Sequence, residues 1–459
     1  MLSQLLQPEI KSLIEDRQLS ILKDVIQDWT PADIAELLQS LDEKERVILF
    51  RLIQTELATD TFEYLDFDTQ MELLKAMGNE EVAKILNEMD PDDRTALFEE
   101  LPASAAKQLI QLLSPEERKV ALNLLGYPES SVGRLMTPDY IAVKPEWTIK
   151  EGLDYIRENG KNKETLNVVY VVDDKGKLID DIKIREFLLS TFDTKIYDIM
   201  DYNYVALNVY DDQEKAVELF RKYDRVALPV VDNSGILLGI VTFDDVMDVA
   251  VEETTEDIQK QAAVGVLEEP YSEISVLNMI KKRVGWLSIL FIGQMFTATA
   301  MAYFEDAIEK AVVLAIFVPL IISSGGNSGS QAASLVVRAM ALGEINLNDW
   351  FKIFKRELLT GLSLGLILAI IGFLRFNLLP APSIGFEEYW ILITLTVSFS
   401  LVGVVLWGTL IGSMLPFIMK RLNFDPAASS TPFVATMVDV TGIMIYFSIA
   451  TFLLKGLIL

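Results

Sequence analysis

Five long apolar segments follow one another in the C-terminal part of the chain, at 284–304, 311–337, 358–374, 389–419 and 426–454. Most of them can cross a hydrocarbon core of about 30 Å as helices, and a bilayer admits little else but closed barrels. The third is short between its charges. It extends toward Leu379 past Arg375, whose side chain is long enough to reach the interface. Basic residues alternate with acidic ones in the loops. Lys281, Lys282 and Arg283 precede the first segment, Arg338, Lys352, Lys355 and Arg356 separate the second from the third, and Lys420 and Arg421 separate the fourth from the fifth. Glu305, Asp306, Glu309, Glu387 and Glu388 occupy the other loops. The positive-inside bias then predicts a multi-pass protein of the cell's inner (plasma) membrane, with the N-terminus cytoplasmic and the C-terminus outside. The opening MLSQLLQPEIKSLIEDRQ reads as a polar helix start rather than a cleavable signal.

Charge divides the chain at the same place. Of 40 basic and 67 acidic residues, ten of each lie from Arg283 onward, so the whole net charge of −27 sits before it. That excess of carboxylates argues against nucleic acid and for a cation as partner. Cysteine and histidine are both absent. Any metal must therefore be held by oxygen, which favours hard ions such as Mg²⁺ or Ca²⁺. Thiol and imidazole nucleophile schemes are excluded, no phosphate-cradling glycine loop stands out, and an enzyme is not expected.

Residues 1–130 repeat every 24 positions: LLQSLDEKERVILF (37–50), TFEYLDFDTQMELL (61–74), ILNEMDPDDRTALF (85–98) and LIQLLSPEERKVAL (109–122). Asp42, Asp66, Asp90 and Ser114 stand at expected N-cap positions, with Pro91 and Pro115 suited to the first helical turn. An acidic α-helical superhelix follows. Near Gly133 β-branched runs take over and a second duplication appears. RLMTPDYIAV (134–143) matches DIMDYNYVAL (198–207), and VYVVDDKGKL (169–178) matches ALPVVDNSGIL (227–237). This resembles tandem cystathionine-β-synthase (CBS) domains, α/β modules that pair and sense ligands. The second copy keeps Gly239-Ile240-Val241-Thr242 and Asp245, where the first has Asp180-Asp181-Ile182-Lys183. A nucleotide site, such as one for ATP, is therefore expected at Thr242 and Asp245. The following stretch, FDDVMDVAVEETTEDIQKQAAVGVLEEP (243–270), reads as a helix crowded with carboxylates that leads toward the membrane.

Asp439 is the only charge in TPFVATMVDVTGIMIYFSIATFLL (431–454). A carboxylate at mid-membrane costs at least about 2.5–3.5 kcal/mol, so it is expected to face a polar cavity or a partner. Thr431, Ala435 and Asp439 share a helix face, with Thr436 and Gly442 beside it. In the second segment, PLIISSGGNSGSQAASLVV (319–337), eleven consecutive residues are Ser, Gly, Asn, Gln or Ala. Small residues there fit close helix packing, a pore lining, or both. Asn327 and Gln331, four apart, offer amides that packing does not require.

The motifs PLIISSGGNSGSQ, NFDPAASSTPFVATMVDVTG (423–442) and DDVMDVAVEETTEDI (244–258) together resemble the MgtE family of magnesium channels and transporters. The resemblance covers the whole chain. It implies a multidomain integral membrane protein with a helical N-domain (1–130), CBS domains (131–197 and 198–252), a connecting, or plug, helix (253–282) and an all-α five-span domain (283–459). It also implies a homodimer whose second and fifth spans line one pore, with Asp439 of each chain facing hydrated Mg²⁺ and Ala435, Asn327, Gln331, Thr431 and Thr436 assisting. Mg²⁺ sheds its water reluctantly, so such a pore reads the hydrated ion. Thr431 departs from an expected Asn, which shortens its reach. Regulatory Mg²⁺ is implied at Asp212, Glu214 and Asp224, at Asp245, Asp248, Glu253, Glu256 and Asp257, and at Asp90, Asp92 and Asp93. By this reading, acidic domains separate by repulsion without Mg²⁺ and close the pore with it. Two other readings stand beside a gated channel for Mg²⁺ or related divalent cations: a proton- or Na⁺-coupled secondary transporter using Asp439, and a sensor without transport. No inverted repeat is evident among the spans, which weighs against a rocking transporter.

Overall fold

The computed structural model describes residues 2–267, 271–272, 274–378 and 389–455. Leu379, Glu387 and Glu388, used above for the third segment and the orientation, lie outside them. The chain separates into two compact units, Met1–Ala250 and Val251–Leu459.

In the first unit the 24-residue period has a mechanical cause. Helices Glu43–Phe50, Phe67–Ala76, Pro91–Glu100 and Pro115–Leu124 start directly after residues 42, 66, 90 and 114. Asp42, Asp66 and Ser114 accept N–H bonds from Glu45, Thr69 and Glu117, as helix caps do. Arg46, Gln70, Arg94 and Arg118 follow at the same period. Each donates to a carbonyl eight residues back, on Leu38, Phe62, Leu86 and Ile110, at 2.9, 2.9, 2.9 and 3.1 Å. These donors satisfy the orphan carbonyls where the preceding helix ends, so one polar side chain per repeat sets the angle of the stack. Leu38, Leu49, Phe62, Leu73, Leu86 and Phe98 fill the core beneath.

Asp90 breaks the pattern. It holds the N-cap position but its carboxylate accepts no cap bond. In the repeat at 42, Glu45 reaches back to the Asp42 N–H and closes a capping box. Asp93, a carbon shorter, does not make that bond, and the Asp90 N–H donates instead to Glu63 Oε1 at 2.9 Å.

The duplicated region forms two three-stranded sheets. In the first, β1 (Ala142–Val143) runs parallel to β2 (Val168–Val172), which is antiparallel to β3 (Leu178–Lys183). The second sheet repeats this with β4 (Leu207–Asn208), β5 (Ala227–Val231) and β6 (Leu237–Thr242), down to the same register shift at the end of the middle strand. Gly239 and its counterpart Asp180 do different work. Thr137 exchanges two backbone bonds of 2.9 Å with Ile240, and a Cβ on Gly239 would lie 2.6 Å from the Thr137 oxygen. Asp180 is fully buried and accepts N–H bonds from Asp181, Asp201 and Tyr202 at 2.9, 2.9 and 3.0 Å, which ties β3 to the segment between the copies. The carboxylate-rich helix, Phe243–Gln261, starts directly after β6, ten residues before the expected boundary at 253.

Among the described residues, five helices of the second unit are long and apolar enough to cross a membrane. Spans 1 to 5 are Val276–Tyr303, Val312–Ala341, Trp350–Leu378, Trp390–Arg421 and Thr431–Leu454. Span 3 exceeds its charge-free stretch because Lys352, Lys355, Arg356 and Arg375 stay within the helix near its ends. Span 5 begins later than expected. Residues 426–428 form one 3₁₀ turn, and Ser430 then caps a helix with proline in its first turn. Spans 2 and 4 meet backbone to backbone. A Cβ on Gly408 would lie 2.3 Å from the Gly325 oxygen, and one on Gly412 would lie 2.0 Å from the Gly329 oxygen. Ser328 and Thr409 share a hydrogen bond of 2.7 Å in the same seam. Gly412→Ala is expected to force these helices apart at a cost of about 1–3 kcal/mol. Gly285→Ala, with nothing within 4 Å, is expected to leave stability unchanged or slightly raised. Thermal unfolding of the two purified variants in detergent checks this contrast.

Candidate functional site

The polar run of span 2 divides between two faces. Gly325, Ser328 and Gly329 belong to the seam with span 4. Ser323, Gly326, Asn327 and Ser330 turn instead to a cleft of about 570 Å³ walled by spans 1, 2 and 5. Both readings of the run, packing and lining, are thus realised on different sides of one helix. Span 5 contributes Thr431, Pro432, Ala435, Asp439 and Ile443 to the cleft. Gly326 faces Ala435, with its Cβ position 3.7 Å from the Ala435 Cβ, an ordinary contact distance. Ser330 donates to the Thr431 carbonyl at 3.3 Å.

Of the residues expected along this path, Asp439, Ala435, Asn327 and Thr431 line the cleft together. Gln331 and Thr436 do not. The lining ends at Ser330, opposite the first residue of span 5, so no wall faces Gln331, which is exposed. Thr436 bonds back to the Pro432 carbonyl at 2.9 Å and packs toward span 1, where its Cγ2 lies 2.9 Å from the Cβ position of Gly293. Span 1 supplies residues that sequence reasoning missed: Gln294, Thr297 and Met301 line the cleft, and the Gln294 amide donates to the Asp439 carboxylate. Among the described residues no Lys or Arg pairs with Asp439. A carboxylate held by one neutral donor in a polar cleft is open to a cation.

The first unit holds a second acidic site. Glu63, Asp90 and Asp93 bring carboxylate oxygens within 4.8 Å of one another. Burial pushes Glu63 up to about 8, against the pull of the Asp90 N–H and with repulsion from Asp93 and Asp90. Burial first, then the charges of Asp245 and Asp90, pushes Asp93 up to about 7. Glu164 is pushed up to about 7 by burial and by Asp90 and Asp245. Asp245 is pushed up to about 6 by burial, although the Thr242 hydroxyl holds it down. Burial also raises Asp248, with Asp244 adding repulsion, and raises Asp92 strongly, with Asp245 and Asp93 adding to it. Asp92 Oδ1 is buried with no hydrogen-bond partner. An all-oxygen donor set with an orphaned buried oxygen fits a hard divalent cation.

Glu63 and Glu164 were absent from the expected ligand set. Glu63 was legible in the period: Asn87, 24 residues on, accepts from the Ser114 N–H at 2.7 Å just as Glu63 accepts from Asp90. Glu164, in the loop before β2, carried no such signal. Asp212 caps helix Gln213–Tyr223 through the Glu214 N–H, and Asp224 ends the same helix, roughly 18 Å away by helical rise, so the two stand at opposite ends of one helix. Thr242 Oγ1 lies 2.5 Å from Asp244 and 2.6 Å from Asp245, so the hydroxyl expected at a nucleotide site is engaged at the helix start.

In the second unit, Glu256 pairs with Lys260, whose ammonium also reaches Asp425 Oδ2 at 2.6 Å. Asp257 beside them is pushed up to about 6 by burial and the charge of Asp425. Glu253 also lies in this part of the helix.

Comparison with known proteins covers all of these parts. Residues 29–130 match the MgtE intracellular N domain, 132–189 and 196–252 match CBS domains, and 318–449 match the divalent cation transporter family MgtE. The magnesium transporter MgtE of Thermus thermophilus is 35% identical over 454 residues, 97% of this chain and 98% of that one. That of Bacillus subtilis is 29% identical over 445 residues, 97% and 96% of the two chains. Among solved structures, the cytosolic domain of the Mg²⁺ channel MgtE in complex with ATP aligns with TM-score 0.51 and 32% identity, covering 53% of this chain and 99% of that one. The soluble part of a magnesium transporter aligns with TM-score 0.52 and 28% identity, covering 55% and 99%. With family matches to its N-domain, CBS and membrane parts and a relative 35% identical over nearly its full length, the chain belongs to the MgtE family.

Proposed function

We propose that the protein is a homodimeric Mg²⁺ channel of the inner membrane, with its N-terminus in the cytoplasm, gated by Mg²⁺ on its acidic cytoplasmic part. The observation that carries the transport reading is the unpaired Asp439 carboxylate in a polar cleft between otherwise apolar helices. Asn327, Thr431 and the Ala435 backbone offer further oxygens around it, and a hydrated Mg²⁺ takes hydrogen bonds from such groups while keeping its water. The relatives named for magnesium transport support Mg²⁺ as the cargo.

Gating rests on the acidic cluster. Four of its carboxyls are pushed up to about 6–8, so in the neutral range part of the cluster is charged and self-repelling. A divalent cation removes that repulsion and favours the compact arrangement, and several such sites acting on one two-state element give a steep response. Asp248, with the lower group Glu253, Glu256 and Asp257, contributes to the same closure. The 32% identical cytosolic domain solved with ATP supports nucleotide binding at the CBS pair, with Thr242 and Asp245 as candidates.

The first test is flux into liposomes holding purified protein. Asp439→Ala is expected to abolish selective Mg²⁺ uptake, and uptake by the parent is expected to survive collapse of the proton and sodium gradients. Loss of uptake with the gradients would establish the coupled transporter instead. A second test addresses the cluster. Each raised carboxyl binds more protons in the folded than in the unfolded state between the ordinary range near 4 and its own raised value. Stability without Mg²⁺ is therefore expected to fall as pH rises through this window to about 8, with the rescue by millimolar Mg²⁺ growing in step. Glu63→Gln and Asp93→Asn are expected to flatten both trends in thermal melts. In patch recordings they are expected to leave conduction intact and weaken closure by Mg²⁺, as are Asp248→Ala and Glu256→Ala.

A further inference from the structure

Span 1 is the least covered helix of the membrane unit, with 6% of its most apolar window buried in the chain. Its contact with span 5 is nevertheless built with care. Gly293 stands where a Cβ would come within 2.9 Å of the Thr436 methyl group, so Thr436 packs directly onto span 1 at that level. The next residue, Gln294, then reaches the Asp439 carboxylate. One turn on, Thr297 has its hydroxyl oxygen buried with no hydrogen-bond partner, and both side chains line the cleft. A Gln and an unpartnered Thr on the cleft side of a lipid-facing helix are not needed for packing, where apolar residues of the same size serve better.

We propose that span 1 is part of the ion path, with Gln294 as a specificity-determining positioning residue and Thr297 as a contact for the ion's water shell. This rests on the reading of Asp439 as the ion-facing group. The Gln294 amide fixes the carboxylate in one orientation and withdraws part of its field. A carboxylate so held suits a cation recognised through its water. A freer, more strongly charged one coordinates directly, and direct coordination favours Ca²⁺, which takes oxygen ligands in flexible geometry, over Mg²⁺, which dehydrates reluctantly. Thr297 offers a hydroxyl that has no protein partner and is free for that water.

The test compares Mg²⁺ and Ca²⁺ permeation, from reversal potentials of purified full-length protein in planar bilayers. Gln294→Met, close in shape but without a donor, is expected to lower the Mg²⁺ to Ca²⁺ ratio about three- to tenfold, the size of one ordinary net hydrogen bond. Thr297→Val is expected to lower it in the same direction by less. A merely structural role would reduce both currents together and leave the ratio unmoved. If Gln294→Met does not reach the membrane, Gln294→Asn, which keeps the amide but shortens its reach, is expected to lower the ratio as well. An unchanged ratio in the Gln294 variant and in Thr297→Val overturns the proposal. Asp439→Ala in parallel separates the two readings: if it loses Mg²⁺ selectivity while the span 1 variants keep theirs, the pore reading stands and this one falls.

Discussion

A carboxylate moved out of water must be given a proton, a donor or a cation, and the architecture of this chain is organised around that demand. It arises twice. In the membrane unit a single Asp439 sits among apolar helices with one amide as its fixed partner. In the first unit, Glu63, Asp90, Asp93, Glu164 and Asp245 are each raised by burial and by the charge of neighbouring carboxylates. The first is one charge facing a cleft. The second is many charges facing one another, which makes it sensitive to a counter-ion. In the proposed function, transport and control thus use the same physical deficit in two geometries.

The backbone around each site follows from keeping that deficit in place. Glu63 serves two functions, accepting the Asp90 N–H at a helix start while adding its charge to the cluster. The Asp90 carboxylate accepts no cap bond, unlike its counterparts at 42, 66 and 114, and stays with the cluster. In the membrane, Gly325 and Gly329 of span 2 leave no room for a Cβ against either span 4 or span 5, which fixes the helix between them. The seam with span 4 is a clamp that holds the helix, so the cleft side is free to carry Ser323, Asn327 and Ser330.

What was legible in the sequence was whatever broke a regular background. A lone Asp in 24 apolar or small residues stands out, and so do eleven small or polar residues inside a span. The 24-residue period and the duplicated strands announced their folds for the same reason. Less legible were residues whose role depends on a distant neighbour. Helical spacing places Asn327 and Gln331 on one face but does not say where the opposing helix begins, so it could not separate Asn327, which lines the cleft, from Gln331, which does not, nor point to Gln294. Gln294 belongs to a helix whose composition gives no reason to single it out, and only Gly293 beside it marks the contact with span 5. Asp212 and Asp224 were implied by the family resemblance alone, and nothing in their local sequence says that they stand at opposite ends of one helix of eleven residues.

Lys260 sharpens the distinction between the acidic groups. Its ammonium is already bound by Glu256 and Asp425, whose carboxylates push it further up, so this part of the helix is tied to the loop before span 5 by a charge built into the chain. Asp257 alongside remains under strain from Asp425 even so. The cluster of Glu63, Asp90 and Asp93 has no comparable tether. Arg94, next in sequence, is turned to the Leu86 and Met89 carbonyls and to Glu117 as part of the repeat latch. A contact held by a resident ammonium persists when free divalent ions are removed, whereas one between unrelieved carboxylates does not. In the proposed gating scheme, the larger share of the response to Mg²⁺ therefore originates at carboxylates with which, among the described residues, no Lys or Arg forms an ion pair.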